Sequence, residues 1–417
     1  MDTLLPKFAI SVACSIVFLI LLFNKERILR LVKNSENIYF LLSLIVFRFI
    51  PILIVYLLLK FDATSDVKMF HTWAVTAKNG YFVYRDFYSP YAPLFSYITA
   101  LPLFFYNHVN SILLLMVVIE VTILTITYRY FANLDSKSHS FYYSLLYLSL
   151  PATFVLSVIS GQEDIWMWGI IICSLLIYQK TNDSFWVGTI LGIGMIVTKV
   201  IFVFSLPIAF ILLPKKLRLL VGLALIGIPT LCILVYFGGD TFLLPIQEAN
   251  NPRTPNIWSI LNPFLSVYSN IGIKNLNLIG LISNVTIIIL LSLKSKIAQI
   301  TFSKAFPLIW IFSNCWLMFI QQSSLSNYCF VFLMPIIFMF SAQKDLKFLI
   351  ITLLFSVACT LQPPIWWGQK MPIYANLSDI LKPINLVEYI LEIFIVGCII
   401  YFCKTIIHTL FSKKLDS

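Results

Sequence analysis

Residues 38–60 read IYFLLSLIVFRFIPILIVYLLLK, and this stretch decides which class of fold the chain belongs to. Its only charged residues are Arg48 and Lys60. A helix needs about 20 consecutive apolar residues to cross the hydrocarbon core of a bilayer. The stretch is long enough for one crossing, so the sequence predicts a transmembrane helix here.

The whole chain has the same character. Of its 417 residues, 60% are hydrophobic and 11% are charged, and the mean hydropathy is +0.92. Soluble domains contain about 45–50% apolar and about 25% charged residues. The composition therefore excludes a soluble enzyme, a nucleic-acid-binding domain and a single-anchor receptor. No linker or polar low-complexity segment divides the chain, so residues 1–417 are predicted to form one integral-membrane domain.

Apolar runs recur along the full length of the chain, and they predict an all-α polytopic membrane protein with 13 crossings. The run 93–106 is short and contains Pro93 and Pro102, so we expect a re-entrant or interfacial helix there. The 13 predicted spans lie near residues 8–23, 38–60, 110–131, 140–160, 164–179, 185–200, 201–213, 218–238, 276–293, 305–321, 328–342, 347–361 and 385–406.

The distribution of basic residues assigns the two sides of the membrane. The chain has 29 lysines and arginines against 18 acidic residues, a net charge of +11. Basic loops tend to remain in the cytoplasm. If the run 93–106 does not cross, 18 of the 29 basic residues fall on one side. The N-terminus is then outside, the C-terminus inside, and three sizeable outer loops lie near 61–91, 239–275 and 362–384, where we expect the functional residues.

The cysteines do not indicate a special chemistry. All eight lie in or at the ends of apolar runs, without a C-x-x-C pair or a neighbouring histidine cluster. Neither a disulfide framework nor a metal site is indicated by this pattern. We therefore expect no metal and no other cofactor.

The first outer loop is the richest polar stretch of the chain. Asp62 and Asp66 lie a few residues beyond the predicted end of the second span, at the depth of a lipid head group. A carboxylate at this point can act as a general base toward a sugar hydroxyl. The alternative is an ordinary solvated loop with tyrosine and tryptophan side chains at the membrane interface. The residue pattern alone leaves both interpretations open.

Within this loop an aspartate is followed by a phenylalanine four residues later, and then by Gly-x-x-x-Tyr and Tyr-x-Pro-Leu segments. This order resembles the first luminal loop of the GT-C glycosyltransferases, in their mannosyltransferase-like branch. That branch includes the enzyme that adds the first mannose to GPI anchors, whose loop carries Asp-x-Asp. Here Thr64 occupies the first of these two positions. The matching residues are Asp66, Phe70, Gly80, Tyr84, Tyr91, Pro93 and Leu94.

Three later segments resemble motifs of the same family and follow in the family's order. The first resembles an outer turn between two spans, the second a Lys-x-x-Pro span, and the third a late Asn-Tyr segment that precedes Leu-x-Pro. The segments are Ser160-Gly-Gln162-Glu163-Asp164, Thr198-Lys199 with the later Pro207, and Ser324-Leu-Ser-Asn327-Tyr328 with the later Pro335.

The resemblance implies a bundle of GT-C type and a donor in which a hexose, most often mannose, is linked to polyprenyl phosphate. The acceptor would be a lipid-linked or glycan hydroxyl that attacks in line and inverts the anomeric carbon. Asp66 is the candidate base, with Asp62 as the alternative. An arginine offers a planar fork to a phosphate and a lysine a point charge. The candidate phosphate ligands are Lys199, Arg253 and Arg85, and the candidate substrate-binding residues are His71, Tyr84, Tyr91, Gln162, Glu163, Asp164, Asn327 and Tyr328.

Two charged residues lie in the middle of predicted spans, Arg48 and Glu120. A charge at the bilayer centre costs about 2.5–3.5 kcal/mol on insertion scales, so each should have a partner. A pair of Glu120 with Arg48 or Lys199 would be structural, whereas a proton relay would indicate transport. Glu388 and Glu392 share a face near the outer end of the last predicted span, where we expect water to solvate them.

Two other functions compete with a glycosyltransferase. A flippase or transporter of lipid-linked sugars predicts paired charges at mid-depth and repeated halves, but no internal repeat is found. A surface-polysaccharide polymerase typically uses several arginines in large outer loops, and only Arg85 and Arg253 are available there. Whether the chain is a glycosyltransferase or a polymerase, we expect it in the plasma (cytoplasmic) membrane rather than the endoplasmic reticulum. Its active site is then expected on the extracytoplasmic face.

Overall fold

The computed structural model describes residues 4–63, 65–341 and 346–412. Over these residues the chain is helical, with no strand and one isolated bridge between Val83 and Phe87. One large core cluster contains residues from Phe18 to Leu410. The prediction of an all-α, multi-pass membrane protein is confirmed at this level.

Eight of the described helices are long and apolar enough to cross a bilayer, or up to nine spans if one bent pair of helices counts as a single span. The bent pair consists of α7 (Lys137–Ser149) and α8 (Pro151–Ile159). The eight long helices are α1 (Leu4–Phe23), α3 (Glu36–Leu58), α6 (Val109–Leu134), α12 (Lys216–Gly238), α14 (Ile273–Ile297), α15 (Phe302–Ile320), α17 (Leu346–Gly368) and α18 (Pro383–Phe411).

The other helices are shorter. The apolar ones have 10–17 residues, fewer than the roughly 20 that a full crossing needs. Helix length therefore supports eight or nine spans. The shorter apolar helices are α5 (Phe95–Phe104), α9 (Ile165–Thr181), α10 (Ser184–Val197), α11 (Val200–Leu212) and α16 (Ser326–Phe340), beside α2 (Lys25–Val32), α4 (Ser65–Lys78), α13 (Ile257–Leu265) and the 3-10 segment Thr241–Asn250. The 13 spans predicted from the sequence include α9, α10, α11 and α16 but not α5.

The run 93–106 forms α5, which is too short to cross. Its second half, Leu101–Phe104, tightens into a 3-10 turn. Pro102 lies in that turn, because a proline has no amide hydrogen to continue an α-helical ladder. Phe105, directly after it, is 95% exposed. The short length agrees with the sequence prediction that this run does not span the membrane.

The fourth predicted span is not a straight helix, since α7 and α8 meet at an angle of 73°. Pro151 starts α8, and its ring and missing amide hydrogen interrupt the hydrogen-bond ladder at this point. Side chains bind the carbonyl groups that the break leaves free. The Thr153 hydroxyl donates to the backbone carbonyl oxygen of Tyr147 over 2.6 Å. The Arg48 guanidinium donates to the backbone carbonyl oxygen of Leu148 over 3.3 Å.

Arg48 and Glu120 form an ion pair in the interior of the bundle. The Arg48 Nε lies 2.7 Å from Glu120 Oε2 and its Nη2 lies 2.8 Å from Oε1. The hydroxyls of Tyr147 and Ser157 also donate to this carboxylate, over 2.8 and 2.5 Å. Both side chains of the pair are buried, with exposures of 0% and 1%. Of the two partners that the sequence left open for Glu120, the structure shows Arg48 and not Lys199.

The segments that were predicted to lie outside meet at one end of the bundle, which we call the loop end. The Ala92 amide donates to the Thr198 carbonyl over 3.0 Å, which joins the first loop to the end of α10. The Gln362 amide donates to the Thr254 hydroxyl over 2.8 Å, and Ser326 donates to the Gln362 oxygen over 2.7 Å. Polar contacts thus connect loops that are far apart in the sequence.

Glu388 and Glu392 are not solvated, contrary to the expectation from the sequence, because both are fully buried. Glu388 Oε1 accepts a hydrogen bond of 2.6 Å from Gln362, and Glu392 Oε2 accepts one of 2.8 Å from Ser259. The second outer loop and α13 pack over the start of α18 and exclude water there. The third outer loop is also shorter than expected, since α17 continues to Gly368.

Replacing Glu120 by leucine should destabilise the protein strongly, because it leaves the Arg48 guanidinium in an apolar interior without a counter-charge. The expected loss in the free energy of unfolding is about 3–5 kcal/mol. The Arg48→Met/Glu120→Leu double variant should recover most of this loss. Denaturant titration in mixed micelles, followed by circular dichroism, measures both.

The matched control is the pair of Arg218 and Asp183, whose nitrogen and oxygen lie 2.6 Å apart and whose side chains are 57% and 16% exposed. Removing this pair with Arg218→Met should cost about 0–1 kcal/mol, because the arginine is more than half exposed to solvent. A double variant as unstable as Glu120→Leu alone would contradict the assignment of the loss to an unpaired charge.

Candidate functional site

Asp66 lies in the first turn of α4, at the loop end. Negative charge is favoured at this position, because the free amide groups of a helix N-terminus carry partial positive charge. The Gln162 side-chain amide donates to Asp66 Oδ2 over 2.7 Å. This hydrogen bond orients the Asp66 carboxylate. The carboxylate remains accessible, because Asp66 is only half-buried.

Gly161 allows the turn between α8 and α9 to approach α4 closely. It has a φ of +54°, and a Cβ atom there would lie 2.8 Å from side-chain carbons of Leu113 and Val67. Only glycine adopts this conformation without strain. Because Val67 directly follows Asp66, the close approach brings Gln162 within reach of the Asp66 carboxylate.

Lys199 pairs with two acidic residues of the same turn. Its Nζ lies 2.7 Å from Glu163 Oε1 and 2.6 Å from Asp164 Oδ1. Both carboxylates are buried, whereas the lysine side chain is 18% exposed. Lys199 is extended at the break between α10 and α11, and this break directs the ammonium group toward the turn.

Two aromatic rings lie beside this cation. The Lys199 Nζ is 5.3 Å from the ring centre of Tyr91 and 5.2 Å from that of Tyr328. Both distances are in the range of cation–π attraction. The first loop, the turn after α8, the start of α11 and the start of α16 therefore contribute side chains to one site.

Burial raises the pKa of Glu163 to about 7, although the Lys199 charge lowers it and the Asp164 charge raises it further. Burial has this effect because the charged form loses its hydration. Among the described residues, Glu163 Oε2 and Asp164 Oδ2 have no hydrogen-bond donor, so both retain acceptor capacity.

Tyr91 is held in place by both backbone and side-chain contacts. Its ring stacks on Phe95 with the ring centres 4.2 Å apart and contacts the edge of Phe70 at 5.4 Å. The Leu94 amide donates to the Ile196 carbonyl over 2.9 Å. The residues that match the family pattern at positions 70 and 91 thus pack against each other beneath the site.

Tyr84 has a supporting position in the structure. It is buried, its φ is +69°, and its hydroxyl donates to the Tyr91 carbonyl. It packs with Val83 and Leu234 in a small separate cluster. Tyr84 therefore orients the backbone of Tyr91, and its own hydroxyl is already engaged.

Arg85 is not brought into the site. It is exposed and forms an ion pair of 2.8 Å with its neighbour Asp86. The Arg85 hydrogen bonds and the Phe82 amide lower the pKa of Asp86 to about 2.

Asp62 is exposed in the link before α4. His71 is half-buried on α4, and its Nε2 has no hydrogen-bond partner among the described residues.

Arg253 lies in the second outer loop, which is fixed against the segment between α15 and α16. The Arg253 amide donates to the Gln322 carbonyl over 2.9 Å. The Asn256 side chain donates to the Arg253 carbonyl over 2.6 Å and caps α13. Gln322 precedes Asn327 and Tyr328 on the same connecting segment, and Asn327 is half-buried beside Tyr328.

Lys7 belongs to this end of the molecule, although the motifs did not single it out. It lies in the first two turns of α1 and interacts electrostatically with Asp66. No hydrogen bond or ion pair joins its ammonium group to the residues that the structure describes. The signal for it was present, since the predicted topology places the start of the first span on the outer side.

No group of three or more histidine, cysteine or acidic residues that would suit a metal ion occurs in the described part of the chain. Thr64, where the resembling loop has the first aspartate of Asp-x-Asp, lies outside the described residues. The acidic residues of the turn are compensated by Lys199 instead.

The arrangement combines a half-exposed carboxylate, a cation held between two carboxylates and two aromatic rings. Such a set can accept a proton, and its aromatic rings can stack on a sugar. No protein-family model matches the chain, and no curated protein matches it.

Proposed function

We propose that the chain is an integral-membrane glycosyltransferase of GT-C type. It moves a hexose from a polyprenyl-phosphate-sugar donor to a lipid-linked or glycan acceptor on the extracytoplasmic face of the plasma membrane, and mannose is the first donor to test. The observation that carries the proposal is the convergence of Asp66, Gln162 and Lys199 from three separate segments.

In this proposal the shorter helices α9, α10, α11 and α16 cross together with the eight long helices and the bent pair, which gives 13 crossings. The helix α5 remains at the interface. Short helices can span where the bilayer thins or where neighbouring helices cover their ends. The loop end is then extracytoplasmic, in agreement with the basic loops on the other side.

The proposed transfer is a single displacement at the anomeric carbon. The acceptor hydroxyl oxygen forms a bond to the anomeric carbon while its proton passes to Asp66. The bond between the anomeric carbon and the phosphate oxygen breaks, and the polyprenyl phosphate leaves with the electron pair. Attack opposite to the leaving group inverts the anomeric carbon. Positioning and a general base are the contributions that such a site can make.

Lys199 and Arg253 are the proposed ligands of the leaving phosphate. Charge on a leaving group is stabilised by cations that are already in place. Lys199 is shared with Glu163 and Asp164, so its attraction for a phosphate depends on the ionisation of Glu163. Protonation of Glu163 removes one competing negative charge and frees part of the ammonium charge for the donor.

The competing functions find less support in the contacts. A flippase that uses mid-depth charges needs them to reach a water-filled path, but Arg48 and Glu120 are enclosed and saturated with hydrogen bonds. A polymerase that uses several arginines needs more than Arg253 near the site, since Arg85 pairs with Asp86 on the surface.

The Asp66→Asn variant should lose transfer activity, because asparagine cannot accept the acceptor proton. General bases contribute about 100- to 10,000-fold to a rate, so kcat should fall by about that factor. The donor KM should change little. Transfer of radiolabelled mannose from polyprenyl-phosphate-mannose to cell-extract lipids and glycans, by purified protein in nanodiscs, measures both parameters.

The matched control is Asp62→Asn, because Asp62 is an exposed carboxylate four residues earlier. It should keep wild-type kcat, and thermal unfolding should confirm that both variants fold. Full activity in Asp66→Asn with loss in Asp62→Asn would move the base to Asp62. No transfer by the wild type from mannose, glucose or arabinose donors would contradict the proposed function.

The donor KM should depend on pH through Glu163. Because the pKa of Glu163 is about 7, the carboxyl is neutral below this pH and charged above it. The charged form competes with the donor phosphate for Lys199, so KM should rise as pH increases. We expect a rise of about tenfold between about pH 6 and pH 8, equivalent to about 1.4 kcal/mol.

The Glu163→Gln variant should keep the low KM across this range, since glutamine does not ionise. Asp86→Asn serves as the control, because Asp86 has a pKa of about 2 and is charged throughout. Its KM profile should match that of the wild type. A wild-type profile that persists in Glu163→Gln would assign the titration to another group.

A further inference from the structure

A polar pocket lies at the loop end, between the third outer loop and the start of α18. Its volume is about 250 Å³, which leaves room for several water molecules, since each occupies about 30 Å³ in the liquid. Gln369, Tyr374 and Asp379 line the pocket from the loop, and Lys382 and Asn385 line it from the start of α18. The proposed transfer reaction uses none of these residues.

Two buried glutamates lie behind this pocket. Asn385, Glu388 and Glu392 are spaced by three and four residues, so they share one face of α18. Tyr374, which lines the pocket, interacts electrostatically with both glutamates. Glu388 and Glu392 are 0% exposed, Tyr374 is 3% exposed and Asn385 is 8% exposed. The pocket therefore connects the protein surface with a buried pair of carboxylates.

The chain supplies no counter-charge to this pair. Glu388 and Glu392 interact with each other. In the part of the chain that the structure describes, no lysine or arginine forms an ion pair with either of them. Lys382 lines the mouth of the pocket but is itself exposed. Two buried charges of the same sign are costly unless they are compensated, so the pair requires a proton or a cation.

The hydrogen bonds around the pair favour a cation. Glu388 Oε1 and Glu392 Oε2 are held by donors, over 2.6 and 2.8 Å. Glu388 Oε2, Glu392 Oε1 and Asn385 Oδ1 accept no hydrogen bond from any described residue, and the Tyr374 hydroxyl also lacks a partner there. The Asn385 nitrogen is engaged, because it donates to the Asp379 carbonyl over 2.8 Å. A proton shared by the two carboxylates leaves one negative charge in place, whereas a cation can contact all of these oxygens at once.

The type of ion follows from the ligands. All of the available atoms are oxygens, from two carboxylates, an amide and a hydroxyl. Calcium and magnesium prefer such ligands, whereas zinc and copper favour nitrogen and sulfur. Two carboxylates balance one divalent charge. Calcium accepts an irregular set of ligands that water completes, whereas magnesium demands nearly octahedral geometry. Cysteine and histidine patterns do not reveal a site of this kind, so the sequence gave no signal for it.

We propose that Glu388, Glu392, Asn385 and Tyr374 bind one Ca²⁺ ion at the base of this pocket. Water in the pocket completes the coordination. Ser259 of α13 donates to Glu392, so the ion also stabilises the contact of the second outer loop with α18. The third outer loop is held in the same way through Tyr374. The inference does not depend on sugar transfer.

Calcium binding tests the inference directly. The full-length protein in phosphatidylcholine nanodiscs is freed of metal with a chelator and titrated with radioactive Ca²⁺. One ion should bind per chain, with a dissociation constant of about 10⁻⁴–10⁻³ M, as in extracellular calcium modules. The Glu388→Gln/Glu392→Gln double variant keeps the side-chain volumes and removes both charges. Its affinity should be lower by about tenfold or more.

Three further variants separate the ligands from their surroundings. Asn385→Asp adds a third carboxylate and should tighten binding by about tenfold, because ligand charge sets calcium affinity. Lys382→Gln removes a positive charge from the mouth and should bind at least as tightly as the wild type. The matched control is Glu36→Gln, at the start of α3, where Glu36 accepts a hydrogen bond from Ser138. Its calcium affinity should equal that of the wild type.

Thermal unfolding gives a second readout and shows whether each variant folds. Calcium should raise the unfolding temperature of the wild type but not that of the double variant, because a ligand of the folded state stabilises it. Equal calcium binding by the wild type and the double variant would overturn the inference. Tighter binding of Na⁺ or Mg²⁺ than of Ca²⁺ would overturn the assignment of the ion. An unfolding temperature that rises in acid and does not respond to calcium would replace the ion with a shared proton.

Discussion

The ion pair between Arg48 and Glu120 is the interaction on which the rest of the structure depends. An isolated charge in an apolar interior is costly, so each of the two residues requires the other and a full set of hydrogen bonds. Glu120 receives bonds from Arg48, Tyr147 and Ser157, which joins α3, α6, α7 and α8. The same guanidinium binds a carbonyl at the end of α7. The pair therefore stabilises the 73° bend that directs α8 toward the loop end.

The bend has a consequence for the candidate site. The turn that follows α8 carries Gln162, Glu163 and Asp164, and it approaches α4 because Gly161 has no side chain. From this position the turn orients Asp66 through one hydrogen bond and neutralises Lys199 through two ion pairs. A structural ion pair in the interior and a polar site at the loop end are thus connected by a single short helix.

The sequence by itself determined the class of protein, since runs of apolar residues of sufficient length have few alternatives to membrane helices. The order of the motifs, which resembles that of the GT-C family, and their predicted side also indicated that the loops near Asp66, Gln162, Lys199 and Tyr328 belong together. Only the tertiary structure decided which charges pair. Local patterns do not encode contacts between residues such as Arg48 and Glu120, or the burial of Glu388 under a distant loop, because partner choice and water exclusion depend on packing between segments far apart in the chain.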